Sequence, residues 1–364
     1  MVDYQEQIRQ LEEELSKTPY NKRTQHHIGL VKAKIAKLRQ KEVARSSSKG
    51  KKEGYAVRKS GDATVILIGY PSVGKSTLLN ALTGANSEVG SYDFTTLSVV
   101  PGLLEYNYAK IQILDVPGIV KGASYGRGRG KEVLSVMRNA DLVLILIDVA
   151  HPEHYKILKK EIYNTGLRLN QKKPDVVITK KARGGINIGT TVKLTKIDRR
   201  TISDVLREFK ISNADVVIRT DITVDQLIDV IEGNKRYVKA LTVLAKIDSV
   251  EANYLEGVAK EIKPDIMISA KKNINIDQLK EKIFKSLDLI RIYCKEVGKP
   301  ADLEVPLIIR QPCTVEDVCN KLHRDFAKNF NFCRIWGKSS KFPGQRLGIK
   351  HKLIDGDIVE LHIR

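Results

Sequence analysis

Two segments near the start of the chain carry hydrophobic residues at helical spacing. The first lies within residues 3–17, and the second follows a break around Pro19. Their apolar positions are Ile8, Leu11 and Leu15, then Ile28, Val31, Ile35 and Leu38. This spacing predicts two amphipathic helices joined by a short turn, which we interpret as a packing or docking element. Nucleic-acid binding by the basic second helix is the alternative. Residues 45–61, rich in serine, lysine and glycine, are predicted to be a flexible basic linker.

Beyond residue 60 the pattern changes to short apolar runs of strand length. They cover residues 63–68, 110–114, 141–149, 240–244 and 265–268. The run at 141–149 is almost continuous, as in a strand that helices cover on both faces. Together the runs and the helical segments between them predict an α/β fold.

The first apolar run leads directly into a glycine-containing loop of the kind that binds phosphate. The loop consists of Gly69, Tyr70, Pro71, Ser72, Val73, Gly74, Lys75 and Ser76, and a helical segment begins at Thr77. The two glycines allow successive N–H groups to point into one hollow at a helix N-terminus, which favours an anion. Lys75 can then reach the β- and γ-phosphates of a nucleotide, and the Ser76 hydroxyl can hold Mg²⁺. An ordinary glycine-rich turn is the disfavoured alternative, because a strand and a helix flank the loop as this motif requires.

A polar segment after this helix is a candidate for the first part of a nucleotide switch. Residues 84–98 contain Phe94, Thr95, Thr96 and Leu97. A switch needs a mobile hydroxyl that reaches Mg²⁺ only when the γ-phosphate is present. We assign this role to Thr96, with Thr95 as the second choice.

The strand at 110–114 ends in a second switch candidate, formed by Asp115, Val116, Pro117 and Gly118. Asp115 can hold Mg²⁺ through water, and the Gly118 N–H can sense the γ-phosphate. Many small GTPases orient the attacking water with a glutamine at the next position, where this chain has Ile119. Because isoleucine cannot bond to water, hydrolysis must recruit another group or proceed at unassisted rates of about 10⁻⁴–10⁻² s⁻¹.

Guanine recognition requires a carboxylate that accepts hydrogen bonds from N1–H and from the 2-amino group. Two segments offer one, namely Thr195, Lys196, Ile197 and Asp198, and Ala245, Lys246, Ile247 and Asp248. The first has the usual [N/T]-K-x-D spelling, but a polar run precedes it. The second follows an apolar run, and the next run leads into Ser269, Ala270 and Lys271, where a backbone N–H can contact the guanine O6. We therefore assign base recognition to Asp248, with Lys246 packing along the base and the phosphate loop. Ala245 lacks the side-chain amide that the usual motif has at this position, and the loss of one such hydrogen bond should weaken nucleotide binding by about 1 kcal/mol.

Composition bears on partners and compartment. The chain has 364 residues, enough for two or three domains, and a formal net charge of +20. This charge favours an anionic macromolecule, RNA rather than a membrane, and predicts binding that weakens steeply with salt. A solvated lysine-rich surface is the alternative. All four cysteines lie in the last quarter without Cys-x-x-Cys spacing, which is typical of reduced thiols. Without a signal peptide or 18 consecutive apolar residues, we expect a soluble, cytoplasmic protein.

Two further regions are candidates for partner binding. About seventy residues between the helix that follows the 141–149 strand and Lys239 are strongly basic and suggest a small α+β unit. We interpret them as a docking surface for RNA or protein, with a decorative insertion as the alternative. From Leu303 onward, strands at 305–309 and 332–336 surround a helix with Val318, Leu322 and Phe326 facing inward, and residues 353–364 suggest a final hairpin. Such a module resembles a ubiquitin-like β-grasp, which binds partners rather than catalysing reactions.

Taken together, four motifs resemble the developmentally regulated GTP-binding proteins among the Obg-related GTPases. They are the loop at 69–77 and the segments 94–97, 115–119 and 181–186. The resemblance spans the whole chain. It implies an α/β P-loop GTPase domain at 61–289 with an α+β insertion at about 168–236. A helical hairpin and linker at 1–60 would precede this domain, and a C-terminal TGS domain of β-grasp type at 290–364 would follow it.

The resemblance also implies an activity: Mg²⁺-dependent hydrolysis of GTP to GDP and phosphate. Lys75, Thr96 and Gly118 would be the catalytic residues, with Ser76, Thr96 and Asp115 as metal ligands. Potassium is a second candidate cofactor, because Ser72 stands where some cation-activated relatives have asparagine. Family members usually also have asparagine at the position of Ala245.

Two functions are consistent with these features. One is a slow GTPase switch acting on ribosomes or RNA, with a regulatory protein bound through the TGS domain. The alternative is a nucleotide-gated scaffold or ATPase with relaxed base specificity. The relative affinities for GTP and ATP distinguish them.

Overall fold

The computed structural model describes residues 4–19, 21, 23–47, 61–83, 100–115 and 139–363. Within them the helices are α1 (Tyr4–Lys17), α2 (Gln25–Ser47), α3 (Lys75–Thr83), α4 (His154–Asn164), α5 (Arg199–Glu208), α6 (Val224–Glu232), α7 (Ala252–Ile262), α8 (Ile276–Ser286), α9 (Val315–Leu322) and α10 (Arg324–Lys328). The strands are β1 (Ala63–Ile68), β2 (Val100–Tyr106), β3 (Ala109–Asp115), β4 (Leu142–Asp148), β5 (Leu167–Leu169), β6 (Val176–Lys180), β7 (Ile186–Thr190), β8 (Ala214–Ile218), β9 (Arg236–Ala245), β10 (Ile266–Met267), β11 (Leu289–Lys295), β12 (Leu307–Arg310), β13 (Phe330–Trp336), β14 (Gln345–Leu347) and β15 (Ile358–Ile363). These elements form two compact units. One combines the described parts of 1–55 and 162–237, and the other contains the described parts of 56–123, 131–161 and 238–364.

The larger unit is built on a sheet whose strand order is β10-β9-β4-β1-β3-β2. All neighbouring pairs are parallel except β2 and β3. The apolar runs predicted from the sequence form β1, β3, β4, β9 and β10, and the α/β prediction is confirmed. Every residue of β1 is buried, because helices and the rest of the core cover both faces. Parallel strands end at one edge of the sheet, so the segments that follow β1, β3, β4, β9 and β10 meet there.

A second sheet in the same unit has the strand order β12-β11-β15-β13-β14. Helix α9 contributes Val315, Val318 and Cys319 to its core. The predicted final hairpin is wrong, because β15 pairs in parallel with β11 and antiparallel with β13. The inward position predicted for Leu322 is also wrong, since it is 40% exposed at the end of α9.

This C-terminal module attaches to the larger sheet at the edge opposite the phosphate loop. The Arg310 guanidinium lies 3.1 Å from Asp141, and the Lys321 ammonium lies 3.0 Å from Asp62. Both aspartates stand just before a strand, Asp62 before β1 and Asp141 before β4. Ile308 also joins the core of the larger sheet. The module is therefore held at the amino ends of strands whose carboxyl ends carry the candidate site.

The smaller unit joins the N-terminal hairpin to the insertion. Strands β6, β8 and β7 form its sheet, and helices α5 and α6 complete a core to which α2 adds Ala33. Two ion pairs reinforce the contact, Lys32 with Asp225 at 2.7 Å and Lys37 with Glu208 at 3.0 Å. A Cβ at Gly29 in α2 would lie 2.9 Å from the methyl group of Thr201 in α5, so these two helices approach closely at this glycine. Segments far apart in sequence thus share one core. The predicted domain boundaries near residues 60 and 289 stay predictions.

Candidate nucleotide-binding site

The loop between β1 and α3 has the backbone that phosphate binding requires. A Cβ at Gly69 would lie 2.9 Å from the Leu146 carbonyl oxygen and from the Val73 Cγ1, so a larger residue cannot fit. Gly74 has φ +97°, a conformation that favours glycine. Helix α3 begins at the next residue, so its free N–H groups and positive end face the hollow of the loop.

Lys75 and Asp115 bring opposite charges into this hollow. The Lys75 ammonium donates to the carbonyl oxygens of Gly69 at 3.1 Å and Tyr70 at 3.0 Å. Burial lowers the pKa of Lys75, and the charge of Asp115 opposes that shift. Burial likewise raises the pKa of Asp115, with Lys75 opposing. For both groups the effect of burial on the pKa outweighs the attraction between the two charges.

The residues at this position fit Mg²⁺. Asp115 Oδ1 is buried and has no hydrogen-bond partner among the described residues. The Ser76 hydroxyl, at the start of α3, is exposed. Carboxylate and hydroxyl oxygens are the ligands that Mg²⁺ prefers. Thr96, the third predicted ligand, lies outside the described residues.

Lys246 connects the predicted base-recognition loop, residues 245–248, to the phosphate loop. Its ammonium donates to the Ser72 carbonyl oxygen and to the Asp148 carboxylate, both at 2.7 Å. Asp148 ends β4 directly opposite Ala245, the last residue of β9. Asp148 was not predicted, although its position at the carboxyl end of a buried strand was a usable signal. Because Lys246 and Asp148 fasten this loop, a side-chain amide at Ala245 is not needed for that purpose.

Asp248 lies in a short 3₁₀ turn, Ile247–Ser249, beside the loop that follows β10. A hydrogen bond from the Ser269 hydroxyl lowers the pKa of Asp248, so the group is an ionised acceptor at neutral pH. The Lys272 N–H donates to the same Ser269 oxygen at 3.1 Å, which fixes the loop containing Ala270 and Lys271. The two segments predicted to meet around the base are therefore neighbours.

Asp198, the competing candidate, has a different role in the smaller unit. It is the N-cap of α5 and accepts from the Thr201 N–H at 2.6 Å. Capping of this kind explains a carboxylate at that position without any ligand.

Comparison with known proteins agrees with this geometry. The family model described as 50S ribosome-binding GTPase matches residues 64–181, and that for the C-terminal region of the same domain matches 183–289. The TGS domain model matches 290–363. A GTP-binding protein of Methanocaldococcus jannaschii, named as uncharacterised, is 56% identical over 100% of this chain and 94% of its own. The Dictyostelium discoideum protein named developmentally-regulated GTP-binding protein 2 homolog is 43% identical, with 98% of each chain covered. Developmentally-regulated G-protein 2 of Arabidopsis thaliana is 44% identical over 98% of this chain and 90% of its own.

The chain belongs to the developmentally regulated GTP-binding protein family. It is therefore a GTP-binding protein with a P-loop domain of the GTP-hydrolysing class and a C-terminal TGS domain. In the part of the chain that the structure describes, no helix is both long and apolar enough to cross a membrane.

One further contact in this developmentally regulated GTP-binding protein was not predicted. The ring of Tyr70, the second residue of the phosphate loop, stacks on His154 with centroids 3.8 Å apart and planes 11° from parallel. No pattern in the sequence indicated that α4 would begin against the phosphate loop. The stack supports Tyr70 from the side of α4.

Several predicted site residues of this family member fall outside the described part of the chain. They are Phe94, Thr95, Thr96, Val116, Pro117, Gly118 and Ile119. Their assignments stay predictions. Pro71, Val73 and Thr77 lie in the described loop, where Val73 is buried and the other two are exposed.

Proposed function

We propose that the protein binds GTP together with Mg²⁺ and hydrolyses it slowly to GDP and phosphate, as a switch that associates with ribosomes or RNA. The observation that carries the catalytic part is that Lys75 and Asp115 interact at the phosphate loop, where one buried Asp115 oxygen has no hydrogen-bond partner among the described residues. When bound, Mg²⁺ would neutralise charge on the β- and γ-phosphate oxygens. Ser76, Thr96 and Asp115 are the residues proposed to hold it.

The protein residues then bind and orient the nucleotide. Lys75 would exchange its carbonyl contacts for phosphate oxygens, since an ammonium binds an anion more strongly than a neutral acceptor. Asp248 would accept from the guanine N1–H and 2-amino group, with Lys246 holding its loop against Ser72. The Gly118 N–H would contact the γ-phosphate. With isoleucine at position 119, no side chain there positions the attacking water, so turnover should be slow.

Exposed positive charge on the insertion supports a nucleic-acid partner. Seven exposed cations have no ion-pair partner among the described residues: Lys172, Lys173, Lys180, Arg183, Lys193, Arg199 and Lys210. Unpaired lysines and arginines release counterions when they meet phosphate, which makes binding favourable and salt-dependent. The family whose model matches residues 64–181, 50S ribosome-binding GTPase, supports the same partner.

Turnover of GTP with and without ribosomes tests this proposal. We expect slow basal hydrolysis that requires Mg²⁺, little binding of ATP, and co-sedimentation with ribosomes that weakens between low and high salt. The same assay with potassium replaced by sodium tests the second cofactor. Equal affinity for GTP and ATP would favour the nucleotide-gated scaffold instead, and salt-independent sedimentation would contradict the electrostatic account.

Substitution of Asp248 tests base recognition. Asp248→Asn removes one charged acceptor and supplies a donor, so affinity for GTP should fall by about 2 kcal/mol, roughly 30-fold, and xanthosine triphosphate should become preferred. The matched control is Asp198→Asn, which keeps a competent helix cap and should leave nucleotide preference unchanged. Competition binding against a fluorescent nucleotide measures both. A switch of preference in the Asp198 variant alone would show that the wrong segment was assigned.

A further inference from the structure

The open face of the C-terminal sheet combines cations and aromatic rings in register. In one row across four strands, Lys295 lies beside Glu360, Glu360 beside Arg334, and Arg334 beside Arg346. The alternate residues of these strands, such as Cys333, Ile335 and Val359, face the core that α9 covers. The row therefore lies on the face of the sheet opposite this core. We call this surface, with Phe332, Trp336 and His362, the open face.

Three side chains of the open face form a column. The Arg346 guanidinium lies 3.8 Å from the centroid of the Phe332 ring. On its other side Phe332 stacks on His362, with centroids 4.1 Å apart and planes 14° from parallel. Arg346 is exposed on β14, the edge strand of the sheet. The column thus ends at the sheet edge in a guanidinium plane whose outer side is accessible.

The charges of the open face leave a positive excess. Glu360 is only 3% exposed and is already bound to Lys295 at 2.6 Å and to His362 at 2.8 Å. Lys295 in turn lies 4.3 Å from the centroid of Trp336. Arg334 and Arg346, both exposed, have no carboxylate partner among the described residues. Two unpaired guanidinium groups therefore flank a stacked aromatic column.

We propose that the open face binds single-stranded RNA, with an unpaired base stacked on the Arg346 guanidinium and a backbone phosphate at Arg334. This inference rests on the proposed association with RNA and assigns one of its contacts. Planar guanidinium groups stack on bases that are splayed out of a helix, whereas paired bases of a duplex are not accessible for such stacking. The positive excess favours a polyanion over a folded protein of mixed charge.

The decisive variant is Arg346→Lys in the full-length protein, because it keeps the positive charge and removes the planar guanidinium group. With a labelled single-stranded oligoadenylate, we expect binding to weaken about tenfold, as for loss of one stacked base, while the salt dependence stays the same. Binding to an RNA duplex of equal length should change less than twofold. Lys350→Gln, an exposed cation of the same module, is the matched control and should affect both probes equally and weakly.

Arg334→Gln provides a second, independent measurement. Loss of one phosphate contact should reduce the slope of log affinity against log salt concentration by about 1. The stacking assignment is wrong if Arg346→Lys binds oligoadenylate as tightly as the wild type does. It is also wrong if the variant loses as much affinity for the duplex as for oligoadenylate. The proposed association with RNA would stand in both cases. If the wild type binds neither oligonucleotides nor ribosomes, the proposed function itself fails. RNA binding retained by every variant, together with loss of a bound protein, would assign the open face to a protein partner instead.

Discussion

Replacing Lys75 with methionine is expected to lower GTP turnover by about 10²–10³-fold and to abolish the stabilisation that nucleotide confers on the protein. The range is that found when one preorganised donor is removed from a developing negative charge. Methionine keeps most of the apolar stem of lysine, so the start of α3 should remain packed. The substitution removes the Lys75 ammonium. Among the described residues, no other ammonium donates to the carbonyl oxygens of Gly69 and Tyr70.

Thermal unfolding with and without GDP separates binding from folding. A ligand at a concentration of a hundred times its dissociation constant stabilises the native state by about 2.7 kcal/mol, so GDP should clearly raise the unfolding temperature of the wild type. The Lys75→Met variant should unfold near the temperature of the nucleotide-free wild type and should not respond to GDP. Lys156→Met is the matched control, because Lys156 is 78% exposed in the same unit and pairs with Glu261 at the surface. A variant that retained most of its turnover would contradict the assignment of the phosphate loop.

The geometry of the phosphate loop was accessible from the sequence, and so were the grounds for preferring one of two carboxylates, a preference that stays a prediction. Strand, glycine loop and helix are consecutive there, so local order alone specifies the geometry around Gly69 and Lys75. Asp248 could be preferred over Asp198 because apolar runs precede both of its loops, and parallel strands bring their carboxyl ends together. In the structure Asp198 caps α5, while a hydrogen bond from Ser269 reaches Asp248.

Contacts between distant segments were not accessible in this way. The bond from Lys246 to Asp148 depends on β9 pairing with β4 in a particular register, which neither strand specifies alone. The stack of Tyr70 on His154 depends on where α4 begins. The packing of α2 on α5 and α6 joins residues more than a hundred positions apart. An amphipathic pattern predicts that a helix has a buried face, but it does not specify which element covers that face. The wrong final hairpin has the same cause, since β15 pairs with two strands that both lie earlier in the chain.

A buried ion pair in the smaller unit gives the largest expected effect on stability. Arg168 and Asp229 are each 4% exposed and form two hydrogen bonds, at 2.6 and 2.7 Å. The guanidinium also donates to the Tyr163 carbonyl oxygen at 2.8 Å and lies 3.6 Å from the centroid of the Tyr163 ring. Burial raises the pKa of Tyr163 to about 12, so this ring stays neutral against the cation. Tyr163 is 39% exposed, whereas Arg168 and Asp229 are both desolvated and each depends on the other for charge compensation.

Asp229→Leu should therefore destabilise the smaller unit by about 3–5 kcal/mol, because it leaves the Arg168 charge buried without a partner. The double variant Arg168→Met, Asp229→Leu removes both charges and should recover much of this loss. Hydrogen exchange of residues 162–237, measured by mass spectrometry, reports the change. The single tryptophan, Trp336, lies in the other unit, so its fluorescence transition should be unaffected and serves as an internal reference.

Arg219→Met is the matched surface control for this pair. Arg219 and Asp175 are 50% and 53% exposed and lie 3.2 Å apart in the same unit. Because water screens exposed charges, this substitution should cost only about 0.2–1 kcal/mol. If Asp229→Leu were no more destabilising than Arg219→Met, the guanidinium would have to be hydrated in solution and the pair would not be buried. If the double variant were as unstable as Asp229→Leu, the loss would come from packing around Tyr163 rather than from an uncompensated charge.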